Sequence, residues 1–210
     1  MARALIVDFG GVLTTNIWTA FASFCERERL EPDTVLELFR GDAEALAVLR
    51  GLETGELADE EFERRFGALV GVADHTGLIG RMFADLRPEE TMIEAVRRAR
   101  AAGITTGLIT NSWGLGIYDR APTDLFDDRV ISGEAGLHKP QPEIYALACE
   151  RLAVEPGEAV FVDDLRENCG GAEAVGMTAI LHRDPAQTIA RLEDLLGVEL
   201  GAARDPGDAG

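Results

Sequence analysis

Positive charge is scarce in this sequence. Only 20 of its 210 residues are lysine or arginine, against 38 aspartates and glutamates, which gives a formal net charge of −18 at pH 7. Nucleic acids and anionic membrane surfaces are bound through basic surfaces, so neither is expected as a partner. Because charges are screened over about 8 Å at physiological salt, a local basic pocket could still bind a small anion.

Cysteines and long apolar runs are also scarce. The three cysteines, Cys25, Cys149 and Cys169, form no CxxC motif, which argues against a disulfide framework or a zinc site and fits a reducing cytoplasm. No stretch reaches the ~18 apolar residues of a membrane span, and Asp8 interrupts the apolar run where a signal peptide would need one. We therefore expect a soluble, cytoplasmic protein. A hydrophobic content of 46% is enough for the core of one domain, with or without an inserted subdomain.

Lysine is the rarest basic residue. Of the 20 basic residues, 19 are arginine, and Lys139 is the only lysine. A compact ammonium differs from a planar guanidinium where a point charge must be reached, so Lys139 is a candidate for contact with a phosphate or a carboxylate. The alternative is that Lys139 is a surface residue retained by chance.

A buried strand and a carboxylate open the chain. The apolar run from Ala4 to Val7 is too short for a helix and suits a strand that is covered on both faces. Asp8 follows it, and ligands of open α/β sheets bind at the carboxyl ends of strands. Gly10 and Gly11 would let the turn pass close to a bound group. An ordinary turn after the strand is the alternative interpretation.

Residues 15–85 show helical patterns and no strand-like alternation. Apolar residues recur at helical spacing from Ile17 to Cys25, and Asn16 is placed to cap that helix. We therefore predict a small all-helical subdomain inserted after the first strand. Its other predicted helices are Asp33–Phe39, Asp42–Leu49, Asp59–Val70 and Leu78–Phe83.

From Pro88 onward, strands alternate with helices, which predicts an α/β fold with right-handed βαβ units and a parallel sheet covered on both faces. The domain boundaries predicted are 1–14 and 86–200 for the α/β core, 15–85 for the helical segment and 201–210 for a disordered tail. The predicted strands are Ile104–Ile109, Val130–Ser132, Ala159–Val162 and Thr178–Leu181. The predicted helices lie at 88–100, from about Trp113, from Pro140 or Pro142 to Leu152, from near Leu165, and at Pro185–Leu196.

Polar residues end three of these strands. They are Asp8 on the first, Thr110 with Asn111 on the second, and Asp163 with Asp164 on the fourth. Parallel strands bring these ends to one edge, where three carboxylates would need a cation. Mg²⁺ prefers oxygen ligands and bridges to phosphate, so the pattern indicates Mg²⁺-assisted phosphate chemistry.

In that chemistry, Lys139 and the hydroxyl of Thr110 would bind phosphate oxygens, helped by the backbone N–H groups of Gly10 and Gly11. Taken singly, each carboxylate could instead cap a helix. Asp164 is placed to cap the helix that starts near Leu165.

These residues resemble the haloacid dehalogenase superfamily. Asp8-Phe-Gly-Gly-Val-Leu, Thr110-Asn-Ser, Lys139-Pro and Asp163-Asp164 stand in the order of its four motifs, and the helical segment lies where its small cap lies. The segments around Lys139 and Asp163 are most similar to the branch that contains the N-terminal phosphatase domain of soluble epoxide hydrolase. The resemblance implies a Rossmann-like sheet of strand order 5-4-1-2-3.

It also implies roles for individual residues. Asp8 would be the nucleophile that forms a phosphoaspartate, while Thr110 and Lys139 would hold the phosphoryl group with Asn111 beside it. Mg²⁺ would be held by Asp8, the backbone carbonyl of Gly10 and Asp164, with Asp163 in or next to the metal shell.

One position departs from the pattern. Phosphatases of this family usually have a second aspartate two residues after the nucleophile, which protonates the leaving group and later activates water; here that position is Gly10. General acid–base catalysis contributes about 10²–10⁴-fold, so its loss would slow turnover without abolishing it. Another residue could replace it, or the substrate has a good leaving group, or the enzyme is weak. The candidate replacements are Glu53, Asp74, His75 and His138.

The function predicted first is a Mg²⁺-dependent phosphatase of a small phosphorylated metabolite, active as a monomer or homodimer. A 2-haloacid dehalogenase would use the same nucleophile without a metal, and the Asp163-Asp164 pair argues against it. A non-catalytic binding protein, suggested by Gly10, is the third hypothesis. The sequence does not identify the substrate.

Overall fold

Five parallel strands form the centre of the molecule, which we describe from a computed structural model covering residues 2–114 and 124–201. The strands are β1 (Ala4–Val7), β2 (Thr105–Thr110), β3 (Asp128–Ile131), β4 (Ala159–Asp163) and β5 (Thr178–Leu181). Their order is β3-β2-β1-β4-β5, which confirms the predicted α/β sheet and its strand order. The first strand is central, because Val7 pairs with both Leu108 and Val162.

Helices cover both faces of this sheet because β1 is apolar at every position. Leu5 and Val7 pack into one cluster with residues of α6 (Glu90–Ala101) and α10 (Pro185–Leu196). Ala4 and Ile6 pack into the other with residues of α8 (Pro142–Leu152) and α9 (Arg166–Ala174). Side chains alternate between the faces of a strand, so each face buries its own apolar layer.

Five helices between β1 and α6 pack around a third cluster. They are α1 (Ile17–Arg27), α2 (Thr34–Gly41), α3 (Ala43–Glu53), α4 (Asp59–Val70) and α5 (Leu78–Met82). Aromatic rings dominate this cluster: Phe39 stacks on Phe66 at 4.7 Å, and Trp113 packs edge-on against Phe21, Phe39 and Phe83. Trp113 follows β2, so the sheet contributes a side chain to the core of the helical segment.

Most predicted helix positions agree with the structure. Asn16 caps α1 by accepting from the backbone N–H of Trp18, and Asp42 caps α3 by accepting from that of Ala45. The predicted helix at Asp42–Leu49 runs further, however, and α3 ends at Glu53.

Three predicted boundaries were wrong. Pro140 is not part of the helix, which begins at Pro142. Ser132 does not belong to the third strand but begins a one-turn helix, α7 (Ser132–Ala135), after a short 4-residue strand. Ile104 lies outside β2, which extends instead to Thr110.

Two predicted segments fall largely outside the described residues. Trp113 and Gly114 are not helical, and the rest of the helix predicted from about Trp113 lies at positions that are not described. The same holds for the predicted tail beyond Gly201. Within the described ranges, no helix is long and apolar enough to cross a membrane.

Candidate active site

The ends of β1, β2 and β4 meet at one edge of the sheet, as the sequence predicts. Asp8 directly follows β1 and its backbone N–H donates to Val162 O over 2.9 Å, while Thr110 and Asp163 are the last residues of their strands. Carboxylate oxygens of Asp8, Asp163 and Asp164 lie within 4.8 Å of one another. Asp8, Thr110 and Asp163 are buried, so the three strand ends form a compact polar centre beneath the surface.

Lys139 lies inside this centre. Its Nζ is 2.8 Å from Asp8 Oδ1 and 2.6 Å from Asp163 Oδ2, and its side chain is only 1% exposed. The alternative of a surface lysine is therefore wrong. Burial alone would lower the pKa of Lys139, but the two carboxylates hold it above its ordinary value. The ammonium stays charged and joins β1 to β4.

Asp163 is the structural anchor of that ammonium. Besides Lys139, it accepts hydrogen bonds from the backbone N–H of Leu165 over 2.8 Å and from the amide of Asn168 over 3.0 and 3.1 Å. Both of its oxygens are thus occupied within the protein, whereas Asp164 is only half-buried. The sequence analysis gave Asn168 no role; an amide in the first turn after an acidic strand end is the signal that could have identified it.

Asp164 does not cap α9, contrary to the alternative interpretation. The residue at the N-cap position is Leu165, which makes no side-chain cap. The backbone N–H of Leu165 donates to Asp163 instead. The carboxylate of Asp164 is therefore directed at the site and not at the helix end, and its oxygen approaches the Gly10-Gly11 turn.

Negative charge in this centre exceeds the positive charge available to balance it. Burial, with smaller contributions from Asp163 and Asp164, raises the pKa of Asp8 to about 7 despite the attraction of Lys139. Burial and Asp163 raise the pKa of Asp164 to about 6. Burial is the largest cause of both shifts, and the neighbouring carboxylates add to it because one ammonium serves three of them. These donors fit a hard divalent cation, because such an ion prefers carboxylate oxygen and would supply the missing charge.

The two glycines of the turn have different constraints. Gly11 has φ +73°, and a Cβ there would lie 2.5 Å from Asp164 Oδ2, so only glycine fits. Gly10 has no positive φ, and a Cβ there would lie 3.3 Å from Ile17 Cγ2, which a small shift of that side chain relieves. The backbone N–H of Gly11 donates to Thr14 Oγ1 over 3.2 Å. A Cβ is thus tight but not excluded at Gly10, while it is excluded at Gly11.

Asn111 joins the loop after β2 to the Lys139 segment. Its Oδ1 accepts from the backbone N–H of Lys139 over 2.8 Å, and its Nδ2 donates to Lys139 O over 3.2 Å. The same Nδ2 donates to Glu53 Oε1 over 3.4 Å, so the amide also reaches the end of α3. Burial raises the pKa of Glu53 to about 7, although Arg50, Asn111 and Lys139 lower it.

The other candidate replacements for the missing acid lie in different surroundings. Asp74 and His75 belong to the connection between α4 and α5: Asp74 accepts from Thr76 N, and the His75 ring contacts Val72 O. His138 is next to Lys139, with Nδ1 2.9 Å from Lys139 O and Nε2 facing the guanidinium of Arg50. Arginine only donates, so Nε2 is the acceptor and the proton is on Nδ1.

A mainly apolar cavity of about 460 Å³ lies beside the site. It is bounded by Phe9 and Leu13 from the turn after β1, by Ile79 and Phe83 from the helical segment, and by Trp113. None of the site carboxylates of the described chain lines it, so it is a separate space on the Phe9 side of the turn.

The sequence model of the haloacid dehalogenase-like hydrolase family matches residues 2–176 of this chain. The chain belongs to this family. Membership makes it a hydrolase, and it accounts for the position of its four motifs around one sheet edge.

Relatives of this haloacid dehalogenase-like hydrolase include several named enzymes. It is 31% identical over 208 residues to mouse acyl-CoA dehydrogenase family member 10 and 27% identical over 219 residues to pig bifunctional epoxide hydrolase 2, each alignment covering 94% of this chain. The chain spans only 19% and 39% of the lengths of those proteins. It is 26% identical to sesquiterpene phosphatase astK of Aspergillus oryzae, covering 93% of this chain and 97% of the relative.

A dehalogenase is also among the relatives of this haloacid dehalogenase-like hydrolase: (S)-2-haloacid dehalogenase 1 of a Pseudomonas species is 29% identical over 117 residues, covering 52% of each chain. Among solved structures, the HAD family enzyme BT-2542 of Bacteroides thetaiotaomicron, in complex with magnesium and inorganic phosphate, has a TM-score of 0.69 at 20% identity. The match covers 87% of this chain and 95% of that one. This likeness confirms the fold.

Proposed function

We propose that this hydrolase is a Mg²⁺-dependent phosphatase of a small phosphorylated molecule, and that it works through a phosphoaspartate on Asp8. The observation that carries the proposal is the buried Lys139 ammonium, bonded at once to Asp8 and Asp163 with Asp164 beside them. A phosphatase among the relatives and a related fold that binds magnesium and phosphate support it.

Asp8, Asp164 and the backbone carbonyl of Gly10 would hold Mg²⁺. The ion would offset the carboxylate charge and that of the phosphoryl oxygens. Asp163 lies in the same cluster, but its hydrogen bonds to Lys139, Leu165 and Asn168 favour a supporting role.

In the first step, an oxygen of Asp8 attacks phosphorus and the bond from phosphorus to the leaving oxygen breaks. Lys139 and Thr110 would hold the phosphoryl oxygens during this transfer, with Asn111 and the N–H groups of Gly10 and Gly11 beside them. In the second step, water attacks the phosphoaspartate, its bond to Asp8 breaks, and phosphate leaves with the carboxylate restored. The helical segment from Ile17 to Met82 would act as the cap over the substrate.

A 2-haloacid dehalogenase is the second candidate, because a named dehalogenase is among the relatives. It would use Asp8 to displace a halide. The cluster of three carboxylates around one lysine disfavours it, since a metal-free mechanism leaves that charge uncompensated.

A panel of phosphorylated metabolites, assayed with Mg²⁺ and with EDTA, tests the proposal against both alternatives. We expect Mg²⁺-dependent phosphate release that Asp8→Asn abolishes while the circular dichroism spectrum is unchanged. Chloride release from 2-chloropropionate in EDTA would instead establish the dehalogenase. Mg²⁺ binding without turnover of any phosphomonoester would indicate a binding protein.

A further inference from the structure

The proposed phosphatase lacks an acid at Gly10, and the inference drawn here rests on that proposed function. Breaking the bond to an alkyl leaving group produces an alkoxide unless a proton is donated. A candidate donor must therefore lie at the mouth of the site and keep an oxygen available to the substrate.

The end of α3 is fixed against the sheet edge. Ser132 Oγ donates to Glu53 O and itself accepts from the backbone N–H of Ser112 over 2.7 Å. Two residues after Glu53, Gly55 has φ +74° and lies so close to the backbone of Gly133 that a Cβ would collide with it. The backbone of Glu53 is therefore held by the segments that follow β2 and β3.

The side chain of Glu53 reaches the site through Asn111. The amide that donates to Glu53 Oε1 also holds the backbone of Lys139 on both sides, so the carboxyl lies one hydrogen bond from the segment that carries the ammonium. Among the described residues, Asn111 is the only hydrogen-bond partner of this carboxyl. Its other oxygen, Oε2, makes no hydrogen bond to those residues.

The remaining candidates are engaged elsewhere. Asp74 and His75 make their contacts within the helical segment, at the connection from α4 to α5. Both ring nitrogens of His138 are used, one by Arg50 and one by Lys139 O. Glu53 alone combines a position beside Asn111 with an available oxygen.

We propose that Glu53 takes the place of the acid absent at Gly10. In the first step, its protonated carboxyl gives a proton to the leaving oxygen as the bond from that oxygen to phosphorus breaks, which releases an alcohol. In the second step, the resulting carboxylate takes a proton from the water that attacks phosphorus. Phosphate leaves Asp8, and Glu53 is protonated again.

The electrostatic surroundings suit both steps. Burial, with a smaller contribution from Glu167 at the start of α9, raises the pKa of Glu53 to about 7, although Arg50 on its own helix, the hydrogen bond from Asn111 and Lys139 across the site lower it. A carboxyl with a pKa near neutrality is populated in both protonation states at physiological pH, as an alternating acid and base must be.

The test is the dependence of kcat/KM on leaving-group pKa for Glu53→Gln and for the matched control Glu56→Gln, which alters an exposed residue just beyond α3. Glutamine retains the acceptor for Asn111 but donates no acidic proton. We expect Glu53→Gln to lower kcat/KM for alkyl phosphates by about 10²-fold or more and to leave 2,4-dinitrophenyl phosphate nearly unchanged. The pH profile of kcat/KM should also lose the change in rate that the titration of Glu53 causes in the unmodified protein. The control should match the unmodified protein throughout.

Equal losses for all leaving groups would overturn the proposal, because they would make Glu53 a positioning residue for Asn111. An unchanged series would overturn it as well. Glu53→Gln combined with Gly10→Asp should recover the turnover of alkyl phosphates, since a Cβ at Gly10 would contact only Ile17 Cγ2 and an aspartate there would restore the acid. Failure of the unmodified protein to hydrolyse even 2,4-dinitrophenyl phosphate would instead refute the proposed function itself.

Discussion

Lys139 bridges two carboxylates from a single atom, at 2.8 and 2.6 Å, with almost no exposed surface. A guanidinium spreads its donors over a plane and needs more room, so Lys139→Arg keeps the charge and loses the geometry. We expect kcat to fall by about 10²–10³-fold, the usual cost of losing one preorganised donor.

The control for that variant is Arg191→Lys on the exposed side of α10, and kcat with a good phosphomonoester substrate is the measurement. Turnover of Lys139→Arg within a factor of two of normal would refute the requirement for an ammonium.

The two neighbouring glycines offer a matched pair of variants. Gly11→Ala places a methyl group against Asp164 at a positive φ, whereas Gly10→Ala meets only the Cγ2 methyl group of Ile17. Asp164 is a proposed ligand of Mg²⁺, and mutations that disturb the surroundings of a metal ligand weaken metal binding by about 10–100-fold, so we expect that loss for Gly11→Ala and little change for Gly10→Ala. Titration calorimetry with Mg²⁺ measures both, and equal affinities in the two variants would contradict the prediction.

Residue type predicted much of the site, while hydrogen-bonding partners were not predictable. Asp8, Asp163 and Asp164 end apolar strands, and Lys139 is unique in composition, so each is conspicuous in the sequence alone. Asn168 and Ser132 act through contacts that exist only once β3, β4 and the helices are assembled. For Ser132 the local sequence carries no signal, and for Asn168 the only signal is an amide in the first turn after an acidic strand end.

At the scale of elements, the contact between α3 and α7 couples the helical segment to the sheet. Ser132 bonds both the carbonyl of Glu53 and the backbone N–H of Ser112. Ser132→Ala leaves two buried backbone groups without this partner, which costs about 1–3 kcal/mol for each unsatisfied group. We expect a lower free energy of unfolding, measured in urea, and a slower turnover of alkyl phosphates.

Thr34→Ala, which removes a hydroxyl bonded on the exposed surface of α2, is the control for Ser132→Ala. A urea midpoint for Ser132→Ala equal to that of the control would show that α3 is held by other contacts.

The same element shows why sequence patterns mislocate boundaries. Apolar periodicity in α3 weakens after Leu49, where Arg50 and Gly51 follow, yet the helix continues because Leu52 is buried in the aromatic cluster and Gly51 packs closely on Leu57. The single turn that the pattern omitted carries Glu53. Trp113 is a second case, since it follows a strand but packs into the helical segment, a tertiary contact with no local signal.

The charge balance at the sheet edge has a consequence for the whole molecule. The pKa values of Asp8 and Asp164, about 7 and 6, lie above the ordinary aspartate value of ~3.9. Without metal, these carboxyls therefore impose no cost on folding below the ordinary value of ~3.9, a cost that grows as the pH rises from there to about 6 and 7, and a constant cost above those values. Mg²⁺ should relieve that cost.

We expect the rise in Tm on adding Mg²⁺ to be larger at pH 8 than at pH 5.5. At 100 times its Kd the ion adds about 2.7 kcal/mol, or a Tm increase of roughly 5–10 °C for a chain of this size. Glu53, with a raised pKa, and His182, with a pKa lowered by burial, titrate with and without metal, so their effects largely cancel in the difference. Asp164→Ala should lose most of the increase, and an equal increase at both pH values would contradict the charge argument.

The burial of the only lysine also allows unfolding to be followed by chemical labelling and mass spectrometry. The sequence holds a single ε-amino group, that of Lys139, and its side chain is only 1% exposed. A brief pulse of an amine-reactive ester should therefore acylate Lys139 only in a molecule that has opened. The mass of the peptide that contains Lys139 then reports the opened fraction, without an engineered probe.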